Sequence, residues 1–439
     1  SSAASDVYKR QVPNSQVELY YNGNEKLKTT TDGVIVTGIL TATEEVAAQL
    51  DYPNFTPTLD FNFAAVKKLD PRFTFSRKGT ASYYDEFGNV VMAASNQPRF
   101  DHDPDTREAK GLLIEPERTN TVSTSGSQHS SDIVTGSQIG GTFQINTVKA
   151  DIILPTGESG LVRHLKASAS SSTGMRWGSA AGGTAGNSYA GGVWARSVSG
   201  TVSVNTDVND RGSVTHTLTE EWKRVSSVGT HPSNDHRFFD FFINSAGDEV
   251  YIWGVQLEEN VPFLSSYIHV PPGHTSHTRG ADFAKIDGQE FTEFYSPVES
   301  TTIMIGQRLG NQQDGRAYSI SDGSNDNRID WDFNDDVHIR FSVSSGGTTV
   351  TTMQQSNVSD INDEFRIAAA VKLNDQIGVV NGTAISSADT SCAQPVDMDR
   401  LYLGLRGNEG NQGALTIMRF MYYPKRLPNS QLLKLTKKI

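Results

Sequence analysis

The side chains that could do chemistry in this chain fall into a few groups. The densest is acidic: Asp322, Asp326, Asp330, Asp332, Asp335 and Asp336 lie close together, with Arg328 among them. Carboxylates and amide oxygens, here joined by Asn325 and Asn327, are the ligands that a hard cation such as calcium takes. The spacing does not match an EF-hand loop, so calcium stands as one reading and a solvated sheet face as the other. Trp177 follows Arg176 between Gly174 and Gly178, and Trp331 sits between Asp330 and Asp332. A flat apolar ring beside hydrogen-bonding groups is what sugar recognition requires. The glycines make a loop platform and a core position equally good readings for Trp177, whereas Trp194, Trp222 and Trp253 lie in strand-like runs and read as core. His274 and His277, with His269 nearby, have the i, i+3 spacing that would suit a metal on a helix, but Pro271 and Pro272 argue against the helix. Cys392 stands alone, which excludes an internal disulfide or a cysteine zinc site and leaves a small, partly buried residue. Ser, His and Asp are scattered with no nucleophile elbow. No enzyme motif results, and calcium is the one cofactor considered.

The elements that must position these groups read as strands. The chain has 439 residues, a net charge of −12 and 39 glycines. Its length favours two or three domains. An acidic chain lacks the Lys and Arg that phosphate needs, so nucleic acid is not an expected partner, and no apolar run approaches the ~20 residues of a membrane span. Residues 1–13 read as a non-native or disordered leader. In 14–58, Val17-Glu18-Leu19-Tyr20-Tyr21 alternates. Asn22-Gly23 and Asp32-Gly33 are hairpin turns. A short helix is expected over 43–50 and is ended by Pro53. Residues 59–120 read as a connector. Residues 121–270 carry strand-like runs separated by turn residues, the pattern of a sandwich or jelly roll. Residues 271–284 (PPGHTSHTRGADFA) read as a linker open to proteases, and 285–439 as a second sandwich with a C-terminal helix at 429–437 capped by Ser430. The fold class expected is mostly β, a short N-terminal fibre-like segment followed by two antiparallel β-sandwich domains.

Several runs carry a family resemblance. Phe73-Thr74-Phe75-Ser76-Arg77, Thr80-Ala81-Ser82-Tyr83-Tyr84-Asp85, Asn96-Gln97-Pro98-Arg99-Phe100-Asp101 and Gly111-Leu112-Leu113-Ile114-Glu115-Pro116-Glu117-Arg118-Thr119-Asn120 together resemble a signature of bacteriophage tail-fibre and tailspike-type structural proteins. The run from Val17 to Gly38 resembles a unit of phage fibre shafts. Trp253-Gly254-Val255-Gln256-Leu257-Glu258, with Ser265-Ser266-Tyr267-Ile268, resembles the end of a carbohydrate-binding-module-like sandwich. Tyr318 to Ile329 and the closing Met418 to Thr436 resemble a concanavalin A-like, laminin-G-like lectin domain. That fold also hosts glycosidases, but their Glu-x-Asp-x-x-Glu strand is absent; Asp360, Asp363 and Glu364 do not supply it.

The resemblance implies a virion protein, assembled in the host cytoplasm and acting outside it, that attaches to a host surface glycan. It implies other virion tail proteins as partners and a homotrimer sharing the shaft segment, with no membrane insertion. The ligand residues expected are Arg176 and Trp177 in the middle sandwich and Asp322, Asn325, Asp326, Asn327 and Trp331 in the last. The rival readings are a polysaccharide-degrading tailspike, with two carboxylates brought together from separate loops, and an architectural component without a ligand.

Overall fold

The computed structural model describes residues 7–11, 17–21, 24–30, 33–36 and 56–438, the last range apart from 126, 169–172, 180–182, 231–236, 311–313, 335–337 and 356–363. The chain divides into two compact units, Ser1–Asn54 and Phe55–Ile439. In the first, Val7–Gln11, Val17–Tyr21, Asn24–Thr30 and Gly33–Val36 pair in sequence order as an antiparallel meander. The hairpins expected from Asn-Gly and Asp-Gly are formed, and a strand is also present at 7–11, inside the expected leader. Leu19 and Tyr21 are exposed on this small sheet. The helix expected at 43–50 lies outside the described residues, as do Asp335, Asp336, Asp360 and Asp363.

The second unit holds two antiparallel sandwiches. The middle one stacks two five-stranded sheets. One runs Ser137–Gly140, Thr173–Ser179, Arg237–Ile243, Val202–Val208, Val214–Leu218. The other runs Phe143–Ile153, Ser159–Ala167, Glu249–Glu259, Ser188–Ser197, Lys223–Thr230. Side chains alternate across a strand, so Phe239 and Phe241 enter the core with Leu165, Val193 and Val204 while Asp240 faces the other way.

The last sandwich is built from more than residues 285–439. Leu415–Tyr423 has Glu299–Arg308 on one edge, and its other edge is divided between Ala109–Ile114 and Leu59–Asn62. Arg99–His102 extends that eight-stranded sheet, and Thr74–Ser76 ends the facing seven-stranded one. The segment read as a connector therefore supplies four strands. Its Phe61, Phe63, Phe73, Leu112 and Ile114 share one core with Trp331 and Phe420. The segment read as a linker is also built in: His277–Arg279 pairs antiparallel with Arg118–Asn120, Asn120 opposite His277. The middle sandwich thus leaves the last one at Asn120 and returns to it at His277. The C-terminal helix spans Asn429–Leu435 behind Pro428 without a side-chain cap, so Ser430 does not have the capping role expected of it.

Where the chain leaves and returns, charge is buried. Arg77, Arg99, Glu115, Arg279 and Asp282 are all 2% exposed or less. Arg99 donates to Glu115 at 2.7 Å and to Asp282 at 2.5 Å. Arg77 donates to Asp282 at 3.1 Å, and Arg279 to Glu115. Glu115 also accepts the Ser266 N–H at 2.9 Å and hydroxyl at 2.6 Å. The Glu115 amide donates to Asp282 at 2.9 Å, and the Arg99 and Arg279 guanidiniums reach the carbonyls of Ser82 and Pro116. Burial would raise the Glu115 carboxyl, but Arg279 and Arg99 hold it well below the usual carboxylate range. Nearby, Asn120 gives its amide to Val255 and Ile268 and accepts from Val122 and Leu257. The motif residues Arg77, Arg99, Glu115 and Asn120 are therefore the lock between the two sandwiches.

Candidate functional site

Beside this lock lies a part-open cavity of about 150 Å³, bordered by both sandwiches. One wall is a hairpin of Ala81–Tyr84 and Val90–Ala93, with Tyr84 opposite Val90. Its turn is fixed by Asp85, whose carboxylate accepts the Phe87 and Asn89 amides. At Gly88 (φ +81°) a Cβ would stand 2.6 Å from the Pro104 carbonyl oxygen, so the turn tolerates only glycine. The hairpin docks on the middle sandwich: Val90 donates its amide to Pro155 at 2.9 Å, and Ser82 its hydroxyl to Tyr267 at 3.0 Å. Val90 and Tyr84 pack there with Trp194, Trp253 and Tyr267.

The other wall comes from the middle sandwich. Trp194 and Arg224 are direct cross-strand partners, which sets the guanidinium 4.6 Å from the indole centroid. Tyr267 meets the Trp194 ring edge-on at 5.3 Å and Trp253 meets it at 5.4 Å. Gly254 (φ +69°) lets them close, since a Cβ there would lie 2.8 Å from the Trp194 ring. This is the physical content of the Trp-Gly pair in the motif. Arg224 donates through Nη1 to the Ser265 carbonyl at 2.8 Å. Its Nε and Nη2 are buried with no partner among the described residues. Across the cavity Asp101 accepts the Tyr84 amide at 2.7 Å. Burial pushes its carboxyl up to about 7, against the amide hydrogen bonds and Arg99 that favour its charged form. Phe263 completes the lining.

Solved structures match parts of the chain. No family model and no curated protein matches the chain. The CBM40 of the Ruminococcus gnavus IT-sialidase, bound to alpha2,3 sialyllactose, is 13% identical over 34% of this chain and 87% of its own, with a TM-score of 0.31. The K499G mutant of NanB sialidase from Streptococcus pneumoniae is 15% identical, over 34% of this chain and 26% of its own, TM-score 0.29. Domain 4 of the arabinanase AbnA from Geobacillus stearothermophilus, in complex with arabinotriose, is 13% identical, over 36% and 73%, TM-score 0.27. Scores of this size carry no argument about ligand or activity, so the site stands on its own geometry.

The residues expected from sequence lie elsewhere. Trp177 is in the strand Thr173–Ser179 and is 3% exposed. It stacks on Phe239 and donates its indole N–H to the Val134 carbonyl at 3.0 Å. The glycines beside it mark close strand contact and not a loop: a Cβ on Gly178 would lie 2.1 Å from the Arg237 carbonyl oxygen. Arg176, on the opposite face, is held bidentately by Asp240 at 2.8 and 2.6 Å. Trp331 is fully buried, so neither Trp is a platform. Asp330 and Asp332 do point away from Trp331, but that face is no solvated sheet: Arg316 bridges both, with Arg328 and Arg340 beside them. In the loop before that strand, Asp322 accepts from Ser324 and Asn327, the Asn325 carbonyl takes Arg328, and Asn327 accepts the Gly346 amide. These groups hold the loop's shape, and Asp326 alone of the five loop and strand residues named is exposed. Among the described residues no group of three or more His, Cys, Asp or Glu is placed to hold a metal ion. His269 is paired instead to Asp132 at 3.1 Å, and His274 to the Pro272 carbonyl.

Sequence reasoning missed Tyr83, Tyr84, Asp101, Arg224 and Phe263 as a group. Tyr83, Tyr84 and Asp101 stood inside the motif runs, but nothing in their spacing shows that Arg224 faces them. Chemically the cavity sets aromatic rings beside the Asp101 carboxyl. It falls below the about 300–1,000 Å³ of drug-sized sites. Glu115 also borders the cavity but is committed to two guanidiniums.

Proposed function

We propose that this protein binds glycan, one ring entering the cavity between its two sandwiches, and that it does so as a tail-fibre or tailspike-type protein of a bacteriophage virion attaching to a host surface. The cavity carries the glycan reading: aromatic rings line it beside the Asp101 carboxyl. The virion reading is supported by the motif runs, whose residues meet in one buried lock although they are spread along the chain. A single shallow site binds weakly, so several copies working together would supply avidity. A trimer sharing the first unit fits the exposed Leu19 and Tyr21 on a four-stranded sheet too small to bury them.

A glycan array and whole-cell binding, run with wild type and Tyr83→Ala, test the site. Tyr83 is half-buried at the cavity rim, and its loss should weaken binding at least about tenfold, the effect of roughly 1.4 kcal/mol. Unchanged binding by the variant would remove the cavity from consideration. Light scattering tests the assembly, and a monomer at micromolar concentration would refute the trimer.

A further inference from the structure

We propose that the group the cavity selects is a hydroxyl donated by an uncharged sugar, with Asp101 accepting it, so that acidic sugars are turned away. This rests on the glycan reading above and names its class. The choice depends on which polar groups at the cavity are free to meet a ligand. Arg224 is not: its Nε and Nη2 are closed off, and Nη1 is used on the Ser265 carbonyl. Glu115 is taken by Arg99, Arg279 and Ser266. Ser82 gives its hydroxyl to the Tyr267 carbonyl, and the Tyr267 hydroxyl is held by Asp132 and Ser131. Asp101 differs. It is part-exposed and lines the cavity. One carboxyl oxygen accepts the Tyr84 amide at 2.7 Å. The other, Oδ2, has no hydrogen-bond partner among the described residues and, unlike the Arg224 nitrogens, is not shut in.

That oxygen decides the ligand's chemistry. An ionised carboxylate only accepts, so whatever binds it must donate. A sugar hydroxyl does so, and a hydrogen bond to a charged acceptor is stronger than one between neutral groups. A carboxylate on the ligand would set like charges together and force one of them to take up a proton, while Arg224 has no open donor to give it in return. An ammonium would face the Arg224 charge on the opposite wall. An uncharged donor meets neither penalty. Tyr83 is the neighbouring rim group. Burial and then the charges of Asp85 and Asp101 raise its phenol, which stays neutral and can give or take a hydrogen bond. The charged and titratable groups around Asp101 are Arg99 and His102 on its own strand, Tyr83, Tyr84 and Asp85 on the hairpin, Glu115 beyond the neighbouring strand and Arg224 across the cavity. Burial outweighs Arg99 and the amide hydrogen bonds and brings the carboxyl up to about 7. The accepting form is therefore gained as pH rises through that value.

Matched probes test this, using the full chain. Neutral oligosaccharides on an array are compared with the same glycans oxidised at their primary alcohols to uronic acids, and with O-methylated ones, which keep the oxygens and lose the donors. Wild type at about pH 8 should prefer the unmodified form over both at least about tenfold. Its binding should fall at least about tenfold between about pH 8.5 and about pH 5.5, as the ionised fraction of Asp101 shrinks. Asp101→Asn keeps an oxygen for the Tyr84 amide and sets an NH2 donor in place of Oδ2. It should lose the preference over the uronic forms and flatten the pH profile of binding, which a purely structural role would leave in place. Should Asp101→Asn fail to fold, the probe comparison and pH profile of wild type still decide. A pH step that survives in Asp101→Asn would belong to His102 and overturn the proposal. Equal binding of neutral and oxidised glycans, weakened in both cases by Tyr83→Ala, would overturn it and leave the glycan reading standing. Binding of none of the three forms would overturn both.

Discussion

Glu115→Gln tests the lock directly. The substitution keeps the side chain's shape and removes the charge that faces Arg99 and Arg279. Arg77 and Arg99 would then keep Asp282 as their carboxylate, while Arg279 would lose the one it is paired with, all four groups being buried. Removing one partner from a buried pair costs about 3–5 kcal/mol. The part-exposed pair of Arg72 and Asp70 is the control, because Asp70→Asn should cost no more than about 1 kcal/mol. Urea unfolding of the full chain followed by tryptophan emission gives both numbers. The pH dependence carries a sign. Glu115 has a folded pKa below its unfolded one, so its contribution is present above the unfolded value near 4.5 and is lost as pH falls toward the folded one. The wild type should lose this increment in acid and the variant should lack it. A loss below about 1 kcal/mol for Glu115→Gln at pH 7, or an acid limb the same in both proteins, would refute the claim that the lock holds the sandwiches together.

Three further outcomes follow from the same structure. Residues 285–439 expressed alone should not unfold cooperatively, because four strands and Phe61, Phe63, Phe73, Leu112 and Ile114 would be missing; residues 56–439 should, and a calorimetric transition for the short piece would contradict the topology. Asp101 has a folded pKa of about 7 against an ordinary 3.8. Its contribution is full below pH 4 and lost as pH rises through 7, at most about 4 kcal/mol at roughly 1.4 kcal/mol per pH unit. Asp101→Asn should flatten that limb of the stability profile, and an unchanged slope would mean that the carboxyl is ionised in the cavity. Trp177→Ala should cost about 3–5 kcal/mol in denaturation, as deletion of a core aromatic does, and a variant as stable as wild type would return Trp177 to the surface.

Strand alternation and turn chemistry were enough to place most strands. Val202–Val208 and Glu364–Lys372, for instance, have local apolar patterns that leave little choice. What could not be read was which strands share a sheet. Ala109–Ile114 pairs with Leu415–Tyr423 across most of the chain, and no local pattern encodes that partner. The strand Thr173–Ser179 was hidden by its glycines, which serve close contact between neighbouring strands. The burial of Trp177 and Trp331 was hidden for a related reason. Aromatic and acidic residues draw notice in a sequence, yet burial decides their role, and Trp331 with its flanking carboxylates is buried by partners supplied from neighbouring strands. The reverse holds for Arg224, an ordinary alternating position until its cross-strand partner is seen to be Trp194.

The paired strands at Asn120 and His277 have one more consequence. They bring the two ends of the middle sandwich side by side, with the Thr119 and Thr278 hydroxyls 2.8 Å apart. A module whose ends meet can be exchanged as a cassette without retracing the frame that carries it. The frame would keep Tyr83, Tyr84 and Asp101, while each new cassette would bring its own counterpart to Trp194, Arg224 and Phe263. Half of the cavity wall would then travel with the insert, and a different cavity could arise by exchange at two points adjacent in the fold, leaving the rest of the protein as it was.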